Sequence, residues 1–351
     1  MPLQPTSLDP ERNASRLLLG FFPDPEFETT FRAYANYLEE LAGLIGGLHG
    51  IAPTLAEGVY RAVERNPNIV KVSRRRLGRQ EERAVAAALV RAWGNLRRVQ
   101  GELDDSARYD EESNAWLPAM GYYATYHAIR AVAIASRQQV PRDHRRCLNL
   151  ISREAQRGLL PLPWGAWCEG CPQTGTHRFG GIQRPDRVHV LSSPDPSSSG
   201  DRLAMLLRTT RQKELDRRFA EERSRSVGNG KTRRNLSRRD KERLALRLVP
   251  TTIFDVLWRL RKKSHYDDAD VFVLGAAGPV DARRFGEAFA LVTDTTLAAL
   301  EALVAAHAGP ESVARAAALY YRRVRNDPNA VIQRRAAAWD RRVNAGHRVA
   351  A

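Results

Sequence analysis

Two long runs of apolar residues at helical spacing constrain this chain more than anything else in its sequence. Residues 80–103 carry Val85, Ala88, Leu89, Ala92, Leu96, Val99 and Leu103, and residues 281–306 carry Phe285, Ala288, Phe289, Val292, Thr296, Leu300 and Leu303. Spacing of i, i+3, i+4 lays a single apolar stripe along a helix, and such a stripe must be covered by other elements. A third run, 115–136, passes through Met120, Tyr123, Ala124, His127, Ala131 and Ile134. The polar stretch 104–113 joins it to the first run, which predicts an antiparallel pair. A fourth begins at Thr251 with Ile253, Val256, Leu257 and Leu260. The expected fold is mainly α.

The rest of the chain divides around these runs. Residues 27–48 read as an amphipathic helix ended by Gly46, Gly47 and Gly50, and 51–65 as a second helix stopped before Pro67. Between 152 and 249 the pattern breaks. Pro161, Pro163, a Cys/Gly/His run at 167–181 and a Ser/Pro/Asp-rich stretch ending at Asp201 predict irregular structure, with one short strand at 187–191. Residues 202–249 are strongly basic and read as a solvated helix or arm rather than core. Four parts follow: a helical lead-in (1–79), helices on either side of the break (80–151 and 250–308), a Cys/His-containing and basic, partly irregular insertion between them (152–249), and basic C-terminal helices (309–351). An insertion of that size is tolerable because loop-closure entropy grows only logarithmically with length.

Charge bears on partners. Among 351 residues, 56 Lys and Arg oppose 40 Asp and Glu, giving a formal net charge of +16. A field of that sign attracts polyanions, so nucleic acid, RNA in particular, is the first partner to consider. Arg225, Lys231, Arg233, Arg234, Arg238 and Arg239 concentrate the excess in 223–243 and are candidate phosphate contacts, with Lys262 and Lys263 further on. The alternative is a solvated helix whose Glu214, Asp216, Glu221 and Glu222 pair locally. The N-terminus lacks a basic segment followed by an apolar one, and no uninterrupted apolar run reaches bilayer length. A cytoplasmic protein without a membrane partner is the expectation.

Three cysteines, Cys147, Cys168 and Cys171, are too few for a disulfide framework. Cys168 and Cys171 stand two apart around Glu169-Gly170, a spacing at which two thiolates can face one tetrahedral zinc. His177, with His189 or Cys147, can complete the set. Cys168, Cys171 and His177 are therefore candidate ligands of a structural zinc, and two ordinary thiols are the alternative.

Three separated segments share a pattern. Residues 121–131 read Gly-Tyr-Tyr-Ala-Thr-Tyr-His-Ala-Ile-Arg-Ala, 143–146 read Asp-His-Arg-Arg, and 257–268 read Leu-Trp-Arg-Leu-Arg-Lys-Lys-Ser-His-Tyr-Asp-Asp. In this order they resemble the HEPN superfamily, whose second helix carries paired Tyr and His-Ala, whose third opens on a histidine-bearing turn, and whose later helix leads through Arg into a His- or Asp-Tyr-containing turn. The resemblance covers 80–151 and 250–308, and implies that these two parts pack as one up-and-down helical bundle, split by the basic, partly irregular insertion between them. It implies a metal-independent endoribonuclease of toxin or antiviral-defence type that requires no cofactor for catalysis, acting as a homodimer or with a protein partner. Its catalytic candidates are Arg259, Arg261, His265 and Tyr266. The chemistry is physical: histidine moves a proton to or from ribose oxygens, and arginine stabilises the charged phosphorane. The alternatives are a non-catalytic nucleic-acid-binding module or a structural subunit of a larger nucleoprotein assembly.

Five residues separate Arg259 from His265 and three separate Arg261 from it. On an ideal helix Arg261 shares a face with His265, while Arg259 lies roughly 240° away. Sequence spacing leaves the choice open. On their own helices, His127 reads as a satisfied core histidine, Tyr122 and Tyr123 as packing residues, and His144 as a turn residue equally able to cap a helix.

Overall fold

The computed structural model describes residues 25–50, 52–104, 109, 112–184, 191–192, 199–227, 231–232, 235–267, 269–324 and 330–350. Helices come first in chain order: α1 (Pro25–Gly46), α2 (Leu55–Glu64), α3 (Pro67–Val70), α4 (Arg79–Asp104), α5 (Ser113–Ala135) and α6 (His144–Gln156). Short strands β1 (Trp167–Glu169) and β2 (Arg178–Gly180) follow, then α7 (Ser199–Ser224), β3 (Ser226–Val227), β4 (Lys231–Thr232), α8 (Arg238–Leu246) and β5 (Thr251–Thr252). The chain continues with α9 (Ile253–Lys262), a π-helical turn (Lys263–Asp267), α10 (Ala269–Leu274), α11 (Pro279–Ala308), α12 (Pro310–Arg323) and α13 (Ala330–Ala350). The protein is mainly α-helical.

Local chemistry sets the helix starts. The Thr54 hydroxyl accepts the Glu57 N–H, the Asn66 side chain accepts the Asn68 N–H ahead of Pro67, and Asp143 accepts the Arg146 N–H. Asp255 reaches back to the Thr252 N–H at 2.8 Å and opens α9. The second helix starts at Leu55 rather than 51, with Thr54 extended as its N-cap.

Helices α4, α5 and α11 form the centre, with α9 against α5 and with α1 and α2 against α11. Helices from both sides of the insertion thus share one core. Gly121 permits the close approach of α5 and α11, since a Cβ there would stand 2.5 Å from the Phe289 ring. The lead-in helices contribute Phe31, Leu38, Leu41, Tyr60 and Val63 to the same cluster, and α13 contributes Ile332 and Trp339. Within it the carboxylate of Glu301 accepts from Tyr60 (2.5 Å), Trp93 (2.7 Å), Trp339 (3.1 Å) and Arg335 (2.5 Å).

Two expectations are corrected. The basic stretch from 202 is not a solvated arm: α7 buries Leu203, Leu206, Leu207, Arg211, Leu215 and Phe219, and Arg202 faces the buried Glu40 at 3.1 Å. Two of its arginines, Arg202 and Arg211, are buried against partners. Second, β1 occupies part of the insertion expected to be irregular, pairing antiparallel with both β2 and β5 in the order β2-β1-β5. By length and composition α11 could cross a membrane, although most of it is packed inside the protein. The strand expected at 187–191 falls outside the described residues except for Leu191, which lies in a turn.

Candidate nucleic-acid interface

Helix α9 presents Trp258 and Arg261, three residues apart, toward α5, and the π-helical turn carries His265 onto the same side. The Trp258 ring stacks on His144 at the start of α6, with centroids 4.7 Å apart and planes inclined by 26°. Tyr126 approaches the same imidazole at 4.7 Å, and the Tyr122 hydroxyl hydrogen-bonds its Nδ1 at 3.1 Å. The Arg261 guanidinium lies 5.0 Å from the Trp258 centroid and 5.6 Å from that of Tyr123, and it donates to the Tyr123 hydroxyl at 3.2 Å. His265 stands edge-on to Trp116 at 5.0 Å, and Trp116 is 57% exposed. At the other end, Arg130 lies 5.8 Å from the Tyr126 centroid.

These contacts define one strip of alternating rings and cations. Pairing of 116 with 265, 123 with 261, and 122 with 258 makes α5 and α9 pass in opposite directions. Tyr122 is buried beneath the strip, whereas Tyr123, Tyr126, His144, Trp258 and His265 are half-buried and keep part of their surface open. Burial, and then the charge of Arg261, lower the pKa of His144, which favours its neutral form. Such a ring can accept a proton as well as stack.

Beyond Trp258 lies a cavity of about 350 Å³ between α6, α7 and α9. Arg145, Lys213, Arg217, Arg259, Lys262 and Lys263 line it, against the carboxylates Glu214 and Asp255. Glu214 accepts from Arg145 at 2.5 Å and from Arg217 at 2.7 Å. Burial opposes its charge, but those two bonds prevail and hold its pKa below the usual range. Asp255 is raised by burial, against the Thr252 N–H that it accepts.

The two arginines left open by sequence spacing point different ways. Positions two apart on a helix diverge by about 200°, and Arg259 accordingly faces α1 and α7. It lies 5.5 Å from the Tyr34 centroid and donates to Thr210 at 3.2 Å. Arg261 alone shares the strip with His265. Nothing is described of the Tyr266 side chain.

Other candidates disperse. Arg225 is exposed and bonds Glu222 at 2.9 Å, Arg238 is exposed and bonds Glu242 at 2.9 Å, and Arg239 is exposed on α8. Lys231 lies in β4, while Arg233 and Arg234 fall outside the described residues. Lys262 and Lys263 belong to the cavity. Cys168 packs in the main core and Cys171 in a second cluster with Leu215, Phe219 and Leu236. His177 stands edge-on to Phe179, and no group of three or more His, Cys, Asp or Glu that could hold a metal occurs among the described residues. His189 is outside them. Burial pushes the Cys168 thiol up to about 12. His127 differs from the core histidine expected: it is half-buried in a groove beside Arg91 and Arg98, and its Nδ1 has no hydrogen-bond partner among the described residues.

Trp116, Trp258, Arg145 and Lys213 were not singled out by the sequence. Trp258 had a signal, standing three before Arg261; Lys213 had none, because its neighbours in the cavity come from other helices. Compared with known proteins, the chain matches no family model, no curated sequence and no solved structure.

Proposed function

We propose that this protein binds single-stranded RNA along the strip from Trp116 to Tyr126, with bases on the rings and phosphates on the intervening cations. The observation that carries the reading is the His144–Trp258–Arg261 stack. Aromatic faces interleaved with cations are what a strand with unpaired bases requires, because every base has a π-face and every linkage a charge. Ten residues of ideal helix span about 15 Å, room for about four bases stacked at 3.4 Å. The three segments that carry the HEPN resemblance, far apart in sequence, meet at this strip, which supports reading the split bundle as HEPN-like.

Labelled single-stranded RNA titrated at two salt concentrations tests the reading. Affinity should fall with salt, and Trp258→Ala should lose about 1–3 kcal/mol, the range for one base–aromatic stack. Trp258→Phe should retain most of it. Equal binding by wild type and Trp258→Ala would remove the strip from the interface.

The enzymatic version, a metal-independent endoribonuclease, is favoured by one further observation: His144 and His265 both occupy the strip, on either side of Arg261. The ribose 2′-oxygen would attack phosphorus after losing its proton to one imidazole. The 5′-oxygen would leave with a proton from a protonated partner, giving a 2′,3′-cyclic phosphate. Cleavage should persist in EDTA and fall about 10²- to 10⁴-fold in His144→Gln or His265→Gln. Tight binding without cleavage would leave the non-catalytic binding module.

A further inference from the structure

The cavity beyond Trp258 needs an occupant of its own. Its cations come from three helices: Arg145 on α6, Lys213 and Arg217 one turn apart on α7, and Arg259 with Lys262 on α9. Even Arg145, Lys213, Arg217 and Arg259 taken alone outnumber the two carboxylates of the lining, Glu214 and Asp255, so bringing them together costs self-repulsion. Glu214 is already shared between Arg145 and Arg217, and Asp255 is committed to the first turn of α9. At its wall, the Arg259 guanidinium donates to Thr210 at 3.2 Å. The cavity therefore presents cations from three helices to a single space.

Its size narrows the occupant. At about 350 Å³ it lies near the lower end of the range for small-molecule sites, about 300–1,000 Å³. That suits one terminal unit better than a strand passing through. Trp258 belongs to both the strip and the cavity wall, so a base against its open edge would lie beside the wall that Lys213 and Lys262 also line. A terminal phosphate monoester carries about −1.5 to −2 at neutral pH, against −1 for an internal diester. The excess of cations over carboxylates distinguishes the two.

We infer that the cavity bounded by Arg145, Lys213, Arg217, Arg259 and Lys262 receives the terminal phosphate monoester of a single strand whose end base lies on Trp258. This rests on the strand-binding reading above and adds that the protein recognises an end.

The test compares three oligoribonucleotides of one sequence, carrying a 5′-phosphate, a 3′-phosphate or hydroxyls at both ends, by fluorescence anisotropy. One phosphorylated strand should bind about tenfold tighter than the hydroxyl-ended strand, as expected for an added charge-assisted contact, and its identity tells which end is read. Lys213 is exposed, so Lys213→Gln should fold. Within that variant the ratio of phosphorylated to hydroxyl-ended affinity should shrink below about twofold, and Lys213→Arg should restore it. Equal binding of all three strands by the wild type, or an undiminished ratio in Lys213→Gln, overturns end recognition and leaves the strip as an RNA site. Failure of all three strands to bind overturns both.

Discussion

His127 illustrates how one side chain couples the protein to pH. Burial, followed by the charges of Arg91 and Arg130, lowers its pKa from 6.5 to about 4. The folded protein thus binds this proton more weakly than the unfolded chain. The sign follows: His127 contributes no penalty above pH 6.5, and stability is lost progressively as pH falls from about 6.5 to about 4. His144, His177 and His307 are also lowered, burial being the first cause in each, and act in the same direction. Thermal melts should therefore give a lower midpoint at pH 5 than at pH 7, and His127→Gln should lessen that difference. An unchanged difference would show that the ring titrates normally. The sequence placed His127 on a helical stripe correctly but not its surroundings, because Arg91 and Arg98 reach the groove from another helix.

Among the elements, α7 departs most from what its composition suggests, and Arg211 explains how a basic helix enters the core. Its guanidinium donates to the carbonyls of Gly170 (3.1 Å), Val249 (2.5 Å), Ala245 (2.8 Å) and Leu248 (3.4 Å). One side chain thus satisfies carbonyls at the end of α8 and ties them to the Cys168–Cys171 turn, where Gly170 adopts φ +77°. Arg75 does the same for α5, donating to Ile134 and Ala135 at 2.7 and 2.8 Å. Arg211→Ala would strand several buried acceptors and should cost about 3 kcal/mol or more in urea unfolding. Arg211→Lys should recover little, since one ammonium cannot span that fork. A loss below about 1 kcal/mol would mean that water replaces the guanidinium. The caps Thr54, Asp143 and Asp255 act within three residues, yet apolar spacing alone read the Thr54-capped helix from 51 instead of Leu55. The bonds of Arg211 span 34 to 41 positions and leave no local trace.

For the whole molecule, the ion pair between Arg335 and Glu301 joins the C-terminal helix to the core. Both side chains are almost fully buried, and Arg335 also bonds Asp294 at 2.6 Å. Removing only the cation leaves Glu301 charged among Tyr60, Trp93 and Trp339. Arg335→Ala should accordingly destabilise by about 3–5 kcal/mol, measured by denaturant unfolding, and should speed amide exchange in α13 ahead of α4 and α5. Uniform exchange across the helices would place α13 outside the argument. Sequence alone determined that the chain is mainly helical, where most helices lie, and that it carries a formal net charge of +16. Apolar periodicity and caps act within a turn or two of the chain, and net charge needs no geometry. Tertiary structure decided that the basic α7 is core, that Arg261 rather than Arg259 joins His265, that His144 stacks on Trp258, and that six cations enclose one cavity. Each of these depends on side chains brought together from distant helices, where burial and direction are set by packing rather than by neighbours in sequence.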